Sequence, residues 1–271
     1  MIVGLGGIDR IHSKEGNDFV CSGRGGNEGV LEWVWGGPGK DFMRNGPGTA
    51  RMMAGSGNDI LIGSNASDYM FGDAGSDRMV GRGGPDGIQG GPGRDRILAG
   101  RGRLDELQGG RGSDEIHGGE GPDLLFGGMG NDTLMGGADV DTVDYYGTGG
   151  AVVDLSEDIA TSGHGTDSLL QIERVIGSRS ADTIIGNAQD NVLWGWEGAD
   201  SIFGRSGSDV LVGYDRGDQL NGGRGEDKLR AGFGNDALDG GPGKNTNSGG
   251  PGTDSCVNPD TGNKRAVGCE T

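Results

Sequence analysis

A short pattern of polar and apolar positions recurs every nine residues along most of the chain, in about 24 copies. Its regular form has glycine at positions 1, 2 and 4, aspartate at position 6 and one large apolar residue at position 8, as in GGEGPDLLF and GGMGNDTLM at residues 118–135. One apolar side chain between two spacers has the period of a short β-strand with a single inward-facing residue. The eighth positions include Leu61, Met70, Met79, Ile88, Ile97, Leu125, Leu134, Ile184, Leu193, Ile202, Leu211, Leu220, Leu229 and Leu238.

The six residues before each apolar triplet are typical of a turn, because glycine tolerates positive φ and allows close backbone approach. One strand and one turn per unit predict that two units close one coil of about 18 residues. The expected fold is therefore all-β, a parallel β-roll, which is a right-handed β-solenoid of GGxGxDxUx repeats.

The repeats predict four segments. Residues 1–144 form a first repeat block, irregular at 22–53, where the register slips near Gly29 to Trp35; a second slip precedes Asp105. Residues 145–176 lack the glycine code and contain β-like runs at 151–155 and 169–176, which predict wider coils of the same stack. Residues 177–257 form the second block, and 258–271 a C-terminal cap.

Composition separates this fold from two alternatives. The 64 glycines are not spaced every third residue and only 8 prolines occur, which excludes collagen. A net charge of −18 and 31% hydrophobic residues are compatible with disorder, but the strict period argues against it. The acidic charge disfavours nucleic acid and anionic lipid as partners and favours cations, and no apolar run is long enough to span a membrane.

The sixth positions place a carboxylate at the same point of many successive coils, where like charges repel unless a cation separates them. Calcium suits this site best, because it takes six to eight oxygen ligands and each turn offers a carboxylate plus glycine carbonyls. Zinc does not, since the repeats lack its usual cysteine and histidine ligands. The predicted metal ligands are Asp59, Asp68, Asp77, Asp86, Asp95, Asp114, Asp123, Asp132, Asp141, Asp182, Asp200, Asp209, Asp218, Asp227 and Asp236.

The units GGEGPDLLF, GGMGNDTLM, GGPGRDRIL and GGRGEDKLR resemble the RTX, or haemolysin-type, calcium-binding repeat. The resemblance implies several bound Ca²⁺ ions and a calcium-dependent β-roll in an extracellular bacterial protein, disordered where calcium is scarce. It also implies ladders of ligands, which are rows of sixth-position residues from successive coils on the same side of the roll. Ala50 and the amides Asn27, Asn191 and Asn245 depart from this pattern. The implied ladders are Asp59, Asp77 and Asp95; Asp68 and Asp86; Asp114 and Asp132; Asp123 and Asp141; Asp182, Asp200, Asp218 and Asp236; and Asp209 with Asp227.

Three cysteines do not form a disulfide framework. Cys256 and Cys269 nevertheless lie close together in the last segment, and we expect them to form a disulfide that closes the final coil in an oxidising compartment. Cys21 is expected to be a free thiol.

Other features are given ordinary structural interpretations. Arg216, Gly217 and Asp218 form an RGD tripeptide, which can act as a cell-adhesion signal. Asp218 is also a sixth position, so we interpret it as a metal ligand instead. The outward side chains Val192, Trp194, Val210 and Val212 predict an apolar patch, which we interpret as stabilising the sheet surface rather than as a docking surface. The sequence contains no H-E-x-x-H, G-x-S-x-G or P-loop motif, so we expect no catalysis.

These observations favour a non-catalytic, secreted calcium-binding module. The alternatives are the calcium-folding or secretion region of a larger exported enzyme or toxin, and a surface structural or adhesive protein. The first ten residues are too short and too polar for a signal peptide, so we expect a piece of a longer protein or export by another route. The sequence identifies no protein partner.

Overall fold

The computed structural model describes residues 1–4, 9–23, 31–257 and 268–269. Within these residues the regular elements are all β-strands of 2 to 7 residues, with no helix. Backbone proximity divides the chain into two units, residues 1–141 and 142–271, which are described in turn. The predicted C-terminal cap, apart from residues 268–269, and Asn27 lie outside the described residues.

The strands of the first unit alternate between two parallel sheets. One sheet has the order β1-β3-β5-β7-β9-β11-β13-β15 and the other β2-β4-β6-β8-β10-β12-β14. The strands are β1 (Ile2–Val3), β2 (Arg10–His12), β3 (Phe19–Cys21), β4 (Glu32–Pro38), β5 (Phe42–Arg44), β6 (Ala50–Ser56), β7 (Ile60–Ile62), β8 (Tyr69–Ala74), β9 (Arg78–Gly83), β10 (Gly87–Pro92), β11 (Arg96–Arg101), β12 (Glu106–Arg111), β13 (Glu115–Glu120), β14 (Leu124–Met129) and β15 (Thr133–Ala138).

The second unit continues the same alternation after an irregular start. Its sheets have the orders β19-β18-β17-β21-β23-β25-β27-β29 and β16-β20-β22-β24-β26-β28. The strands are β16 (Thr142–Asp144), β17 (Val152–Asp154), β18 (Ile159–Ser162), β19 (Gly165–Leu170), β20 (Arg174–Ile176), β21 (Thr183–Ile185), β22 (Val192–Glu197), β23 (Ser201–Phe203), β24 (Val210–Asp215), β25 (Gln219–Asn221), β26 (Lys228–Phe233), β27 (Ala237–Asp239), β28 (Thr246–Ser248) and β29 (Ser255–Val257).

The eighth-position side chains form the core between the two sheets. Ile97 on β11 lies opposite Met79 on β9 and Ile116 on β13, so each apolar residue stacks on its counterpart in the next coil. All three are fully buried, and the eighth-position residues of the regular repeats are at most 2% exposed. The predicted all-β solenoid, with parallel sheets and about 18 residues per coil, is confirmed.

Residues 145–176, which were predicted to form wider coils, differ from the rest of the unit because they contain antiparallel strand pairs. β18 is antiparallel to both β17 and β19, so a short meander interrupts the parallel pairing of this sheet. Ser162 pairs with Gly165, which leaves Gly163 and His164 as a two-residue turn of the kind that joins antiparallel strands. The predicted run at 169–176 is two strands, because Gln171 adopts φ 54° and turns the chain between β19 and β20.

The slip before Asp105 is absorbed in a turn. Leu104 adopts φ 61° and its side chain is 71% exposed, so the extra residue projects into solvent. The strand register is preserved on both sides, since Ile88 pairs with Leu107 and Ile97 with Ile116.

Candidate metal sites

The sixth-position aspartates are buried at the point where each turn enters a strand. Asp59, Asp77 and Asp95 are 1–2% exposed, although carboxylates are rarely so buried without a partner. The position follows from the repeat, because position 8 faces the core and position 6, two residues earlier in an extended segment, points to the same side.

One carboxylate oxygen of each aspartate ties its coil to the previous one. The backbone N–H of Asp59 donates to Oδ1 of Asp77 at 2.7 Å, and that of Asp77 to Oδ1 of Asp95 at 2.8 Å. These bonds repeat along four ladders: Asp18, Asp41, Asp59, Asp77, Asp95, Asp114 and Asp132; Ala50, Asp68, Asp86, Asp105, Asp123 and Asp141; Ala151, Asp182, Asp200, Asp218, Asp236 and Asp254; and Asn191, Asp209, Asp227 and Asn245.

For most aspartates of these ladders, the second carboxylate oxygen is buried without a hydrogen-bond partner. Because such an atom costs free energy, it requires a counter-charge. Among the residues that the structure describes, this holds for Oδ2 of Asp18 and for Oδ2 of the buried residues Asp41, Asp59, Asp77, Asp86, Asp95, Asp105, Asp114, Asp123, Asp200, Asp209, Asp218, Asp227, Asp236 and Asp254.

Position-1 glycines form the wall beside most of these oxygens. A Cβ atom added to Gly72 would lie 2.5 Å from Oδ2 of Asp77 and 2.7 Å from the carbonyl oxygen of Gly90, which belongs to the next coil of the same sheet. Gly90 has the same surroundings, with Oδ2 of Asp95 and the carbonyl oxygen of Gly109 both at 2.5 Å. The absent side chain therefore leaves a space bounded by a carboxylate oxygen and a carbonyl oxygen.

Main-chain oxygens are essential to any metal site here. Within the described residues, no group of three or more histidine, cysteine, aspartate or glutamate side chains is placed to hold a metal ion by itself. A ligand set of one or two carboxylates with several carbonyls matches the preference of Ca²⁺ for oxygen and for high coordination numbers. The residues present fit calcium and do not fit zinc.

Burial raises the pKa of the ladder carboxylates. Desolvation is the main cause, and the backbone hydrogen bond to Oδ1 offsets part of it. The pKa of Asp77 rises to about 7 and that of Asp86 to about 8, with neighbouring ladder carboxylates adding to the rise. The pKa of Asp123, Asp209 and Asp218 also rises to about 7. The pKa of Asp95, Asp114 and Asp200 rises to about 6. The ladders are therefore sites where negative charge is unfavourable unless it is compensated.

Two predicted ligands lie in a different environment. Oδ2 of Asp68 accepts the backbone N–H of Ser64 at 2.7 Å, and Asn45 Nδ2 donates to Oδ1 of the same residue at 2.8 Å. Asp182 is similar, because Ser178 donates its N–H to Oδ2 and its hydroxyl to Oδ1. In both turns, polar protein groups supply a hydrogen bond to Oδ2, which Asp77 and Asp95 lack.

Sequence reasoning left Asp41, Asp105 and Asp254 out of the ligand set, although all three are buried and aligned with the ladders. Asp86 donates its N–H to Asp105 across 19 residues, so the slip does not interrupt the ladder. The 59–77–95 and 114–132 ladders are likewise one ladder. The signal was available, because Asp41 and Asp254 are regular sixth positions and Asp105 is one if the extra residue before it is allowed.

Ala50 has no carboxylate, but the residue that pairs with it on the neighbouring strand has one. Glu32 pairs with Ala50 in the β4–β6 register and is 1% exposed. Burial raises the pKa of Glu32, and the negative charges of Asp9 and Asp68 add to the rise. This glutamate was not predicted, because it lies in the irregular part of the first block.

The remaining sequence features have defined places. Cys256 and Cys269 are joined by a disulfide with Cα atoms 5.6 Å apart, and Cys21 is free. Asp218 of the RGD tripeptide is 3% exposed. Val192 and Trp194 pair with Val210 and Val212 on β22 and β24, where all four side chains are half-buried. The described residues include no apolar helix of membrane-spanning length.

Comparison with known proteins identifies the repeat. A family model described as RTX calcium-binding nonapeptide repeat (4 copies) matches residues 1–28, 45–79, 53–88, 71–103, 108–143, 176–211 and 212–246. The segments it leaves out include the register slip before residue 45, the slip near Leu104 and the meander region. No curated protein matches the chain.

Proposed function

Because the chain belongs to the family of RTX calcium-binding nonapeptide repeat proteins, we propose that it binds several Ca²⁺ ions between successive coils and folds when it binds them. The single observation that carries this proposal is the row of buried Oδ2 atoms that have no hydrogen-bond partner. Most of these atoms lie beside a position-1 glycine and a carbonyl oxygen of the next coil, whereas position 1 is Ala54 in the unit of Asp59 and Ala231 in the unit of Asp236. A divalent cation supplies the compensating charge when bound.

The proposed ligands are the buried ladder aspartates whose Oδ2 atoms are otherwise uncompensated, together with Asp132 and Asp141, which occupy equivalent ladder positions. This set adds Asp41, Asp105 and Asp254 to the sequence-based prediction. The new members share the burial and the backbone hydrogen bond of the others.

The set omits Asp68 and Asp182. Ser64 and Ser178 replace the glycine of position 2 in these turns, and their N–H groups occupy the oxygen atoms that would face an ion. We infer that hydrogen bonds take the place of calcium there. These two turns lie near irregular regions, where a coil that is stable without metal would begin or end an ion ladder.

Calcium-dependent folding follows from the charge of the ladders. Fully ionised carboxylates in neighbouring coils, about 4.8 Å apart, repel by about 3 kcal/mol per pair at an effective dielectric near 20. Single eighth-position residues contribute about 1.5 to 3 kcal/mol each by burial, so the repulsion offsets much of the core in the absence of metal.

A calcium titration of the chelator-treated protein, followed by far-UV circular dichroism with magnesium in parallel, tests the proposal. The expected result is a cooperative coil-to-β transition with calcium alone at about 0.1 to 1 mM. Magnesium is expected to fail, because it demands small octahedral sites and gives up its water reluctantly. A β spectrum already complete in the chelator would contradict calcium-dependent folding.

We also propose that the protein works outside the cell and has no catalytic step of its own. The Cys256–Cys269 disulfide suits an oxidising compartment, and the expected calcium affinity of about 0.1 to 1 mM suits extracellular calcium. Fractionation of producing cells tests the location, with protein expected in the medium or at the surface; retention in the cytosol would contradict it.

A further inference from the structure

Two aromatic residues on neighbouring strands of the second unit occupy positions that the repeat reserves for glycine. Trp196 and Tyr214 lie at position 2 of their units, with φ of 74° and 91°. Bulky side chains rarely adopt this left-handed region, because Cβ approaches the following carbonyl oxygen. Other non-glycine residues at position 2, such as Arg82 and Arg205, are not aromatic. Strained residues of this kind cluster at functional sites.

The two rings belong to an aromatic column at the surface. Trp196 and Tyr214 stack with centroids 5.0 Å apart and planes 20° apart, and Tyr146 meets Trp196 edge to face at 5.3 Å. The guanidinium of Arg179 lies 4.3 Å from the centroid of Tyr146. At one end, therefore, the column is already covered by a planar cation.

The other end of the column is open. Tyr214 pairs with Gly232 of β26, so the next strand presents no side chain to the far face of its ring. Tyr214 is 40% exposed, and Phe233 beside this position is 65% exposed. Among the described residues, Trp196 is the ring that stacks on Tyr214. The result is an aromatic face above bare backbone, bordered by a second exposed ring.

The negative charge around this surface favours a cationic group as its partner. Glu197 and Asp215 pair with each other next to Trp196 and Tyr214 and are exposed, and the chain carries a net charge of −18. Guanidinium groups stack on aromatic faces and pair with carboxylates, which ammonium groups do less well. We propose that the open face of Tyr214 is a docking surface for an arginine side chain of a basic protein partner, which would repeat at this end the stacking of Arg179 on Tyr146.

Fluorescein-labelled peptides of alternating glycine with four arginines or four lysines provide the probe, since their charges are equal. Binding is measured by fluorescence anisotropy in calcium-containing buffer at 0.15 M salt. The wild-type protein is expected to prefer the arginine peptide by about two- to fivefold, the range of an exposed cation–π contact. Non-specific attraction to the acidic surface would give a ratio near one.

The variant Tyr214→Gly restores the glycine of the repeat, so it is expected to fold. It should lower the arginine-to-lysine ratio to about one and leave lysine-peptide binding unchanged, whereas Tyr214→Phe should keep the preference. Tyr69→Ala, which removes an exposed tyrosine of the first unit, is the matched control and should not change the ratio. A wild-type ratio near one, or the same ratio in Tyr214→Gly, would overturn the proposal.

Discussion

At the scale of single residues, the two oxygen atoms of a ladder aspartate have different roles. Oδ1 accepts a backbone N–H from the previous coil, as Asp95 does from Asp77, which is structural and needs no metal. Oδ2 of the same residue is buried beside a glycine and a carbonyl oxygen, and we propose that this atom gives the turn its affinity for a cation. An amide can replace the first role but not the second.

Asp77→Asn and Asp68→Asn separate these roles. Asp77→Asn keeps an acceptor for the N–H of Asp59 but removes a ligand charge, so we expect its site to bind calcium at least about tenfold more weakly. Asp68→Asn should leave the number of bound ions unchanged and lower the free energy of unfolding by about 1–3 kcal/mol, because the Ser64 N–H loses its acceptor. Calorimetric calcium titration measures the calcium binding of each variant, and urea unfolding measures its free energy of unfolding. Equal loss of calcium in the two variants would contradict the assignment.

Gly90 tests the wall of the site. In Gly90→Ala the added methyl group would lie 2.5 Å from both Oδ2 of Asp95 and the carbonyl oxygen of Gly109, so the carboxylate or the backbone must shift. We expect a loss of about 1–3 kcal/mol in the free energy of unfolding with calcium present, together with weaker calcium binding. Gly147→Ala is the control, because nothing lies within 4 Å of its added Cβ, and its effect should stay within about 0.5 kcal/mol. Equal stabilities in urea unfolding would argue against a crowded site at Gly90.

The sequence was sufficient to predict which residues face inward, because position 6 and position 8 follow directly from the period. It was insufficient for the second oxygen of each carboxylate. Asp68 and Asp77 both stand at sixth positions, yet one is saturated by Ser64 and the other is not. The difference depends on a single residue at position 2, whose backbone direction only the folded turn reveals.

At the scale of strands, the stack tolerates irregular turns as long as the strands keep their register. The insertion at Leu104 was expected to end one ladder and begin another, but Asp105 still accepts from Asp86 and donates to Asp123. The extra residue lies in a solvent-exposed turn. The meander of β17 to β19 could not be predicted in the same way, because pattern alone does not distinguish a parallel strand from an antiparallel one.

Deletion of Leu104 is therefore expected to leave the fold intact. The deletion removes a non-glycine residue at φ 61° and restores the nine-residue spacing, so the free energy of unfolding should rise by about 1 kcal/mol. Thermal unfolding in calcium measures the change. A fall of more than about 1 kcal/mol would mean that the extra residue has a structural role that the register does not reveal.

At the scale of the whole molecule, we expect the ladders to make the stability of the fold depend on protons and on calcium in opposite ways. Burial raises the pKa of Asp95, Asp114 and Asp200 to about 6 and that of Asp77 and Asp218 to about 7, against an ordinary value of 3.8. The folded state therefore binds protons more tightly than the unfolded chain. The resulting stabilisation is complete below about pH 3.8 and is lost as the pH rises through 6 to 8.

The metal-free protein should consequently contain more β-structure at pH 5 than at pH 8, which is the reverse of ordinary acid unfolding. Calcium should show the opposite trend, because protons compete for the same carboxylates; the calcium concentration at the folding midpoint should rise as the pH falls from 8 to 6. Circular dichroism of the calcium-depleted protein across this range, with and without added calcium, measures both effects. If metal-free β-structure is constant or declines between pH 8 and pH 5, the ladder carboxylates do not control folding, and calcium must act through the carbonyl groups of the turns alone.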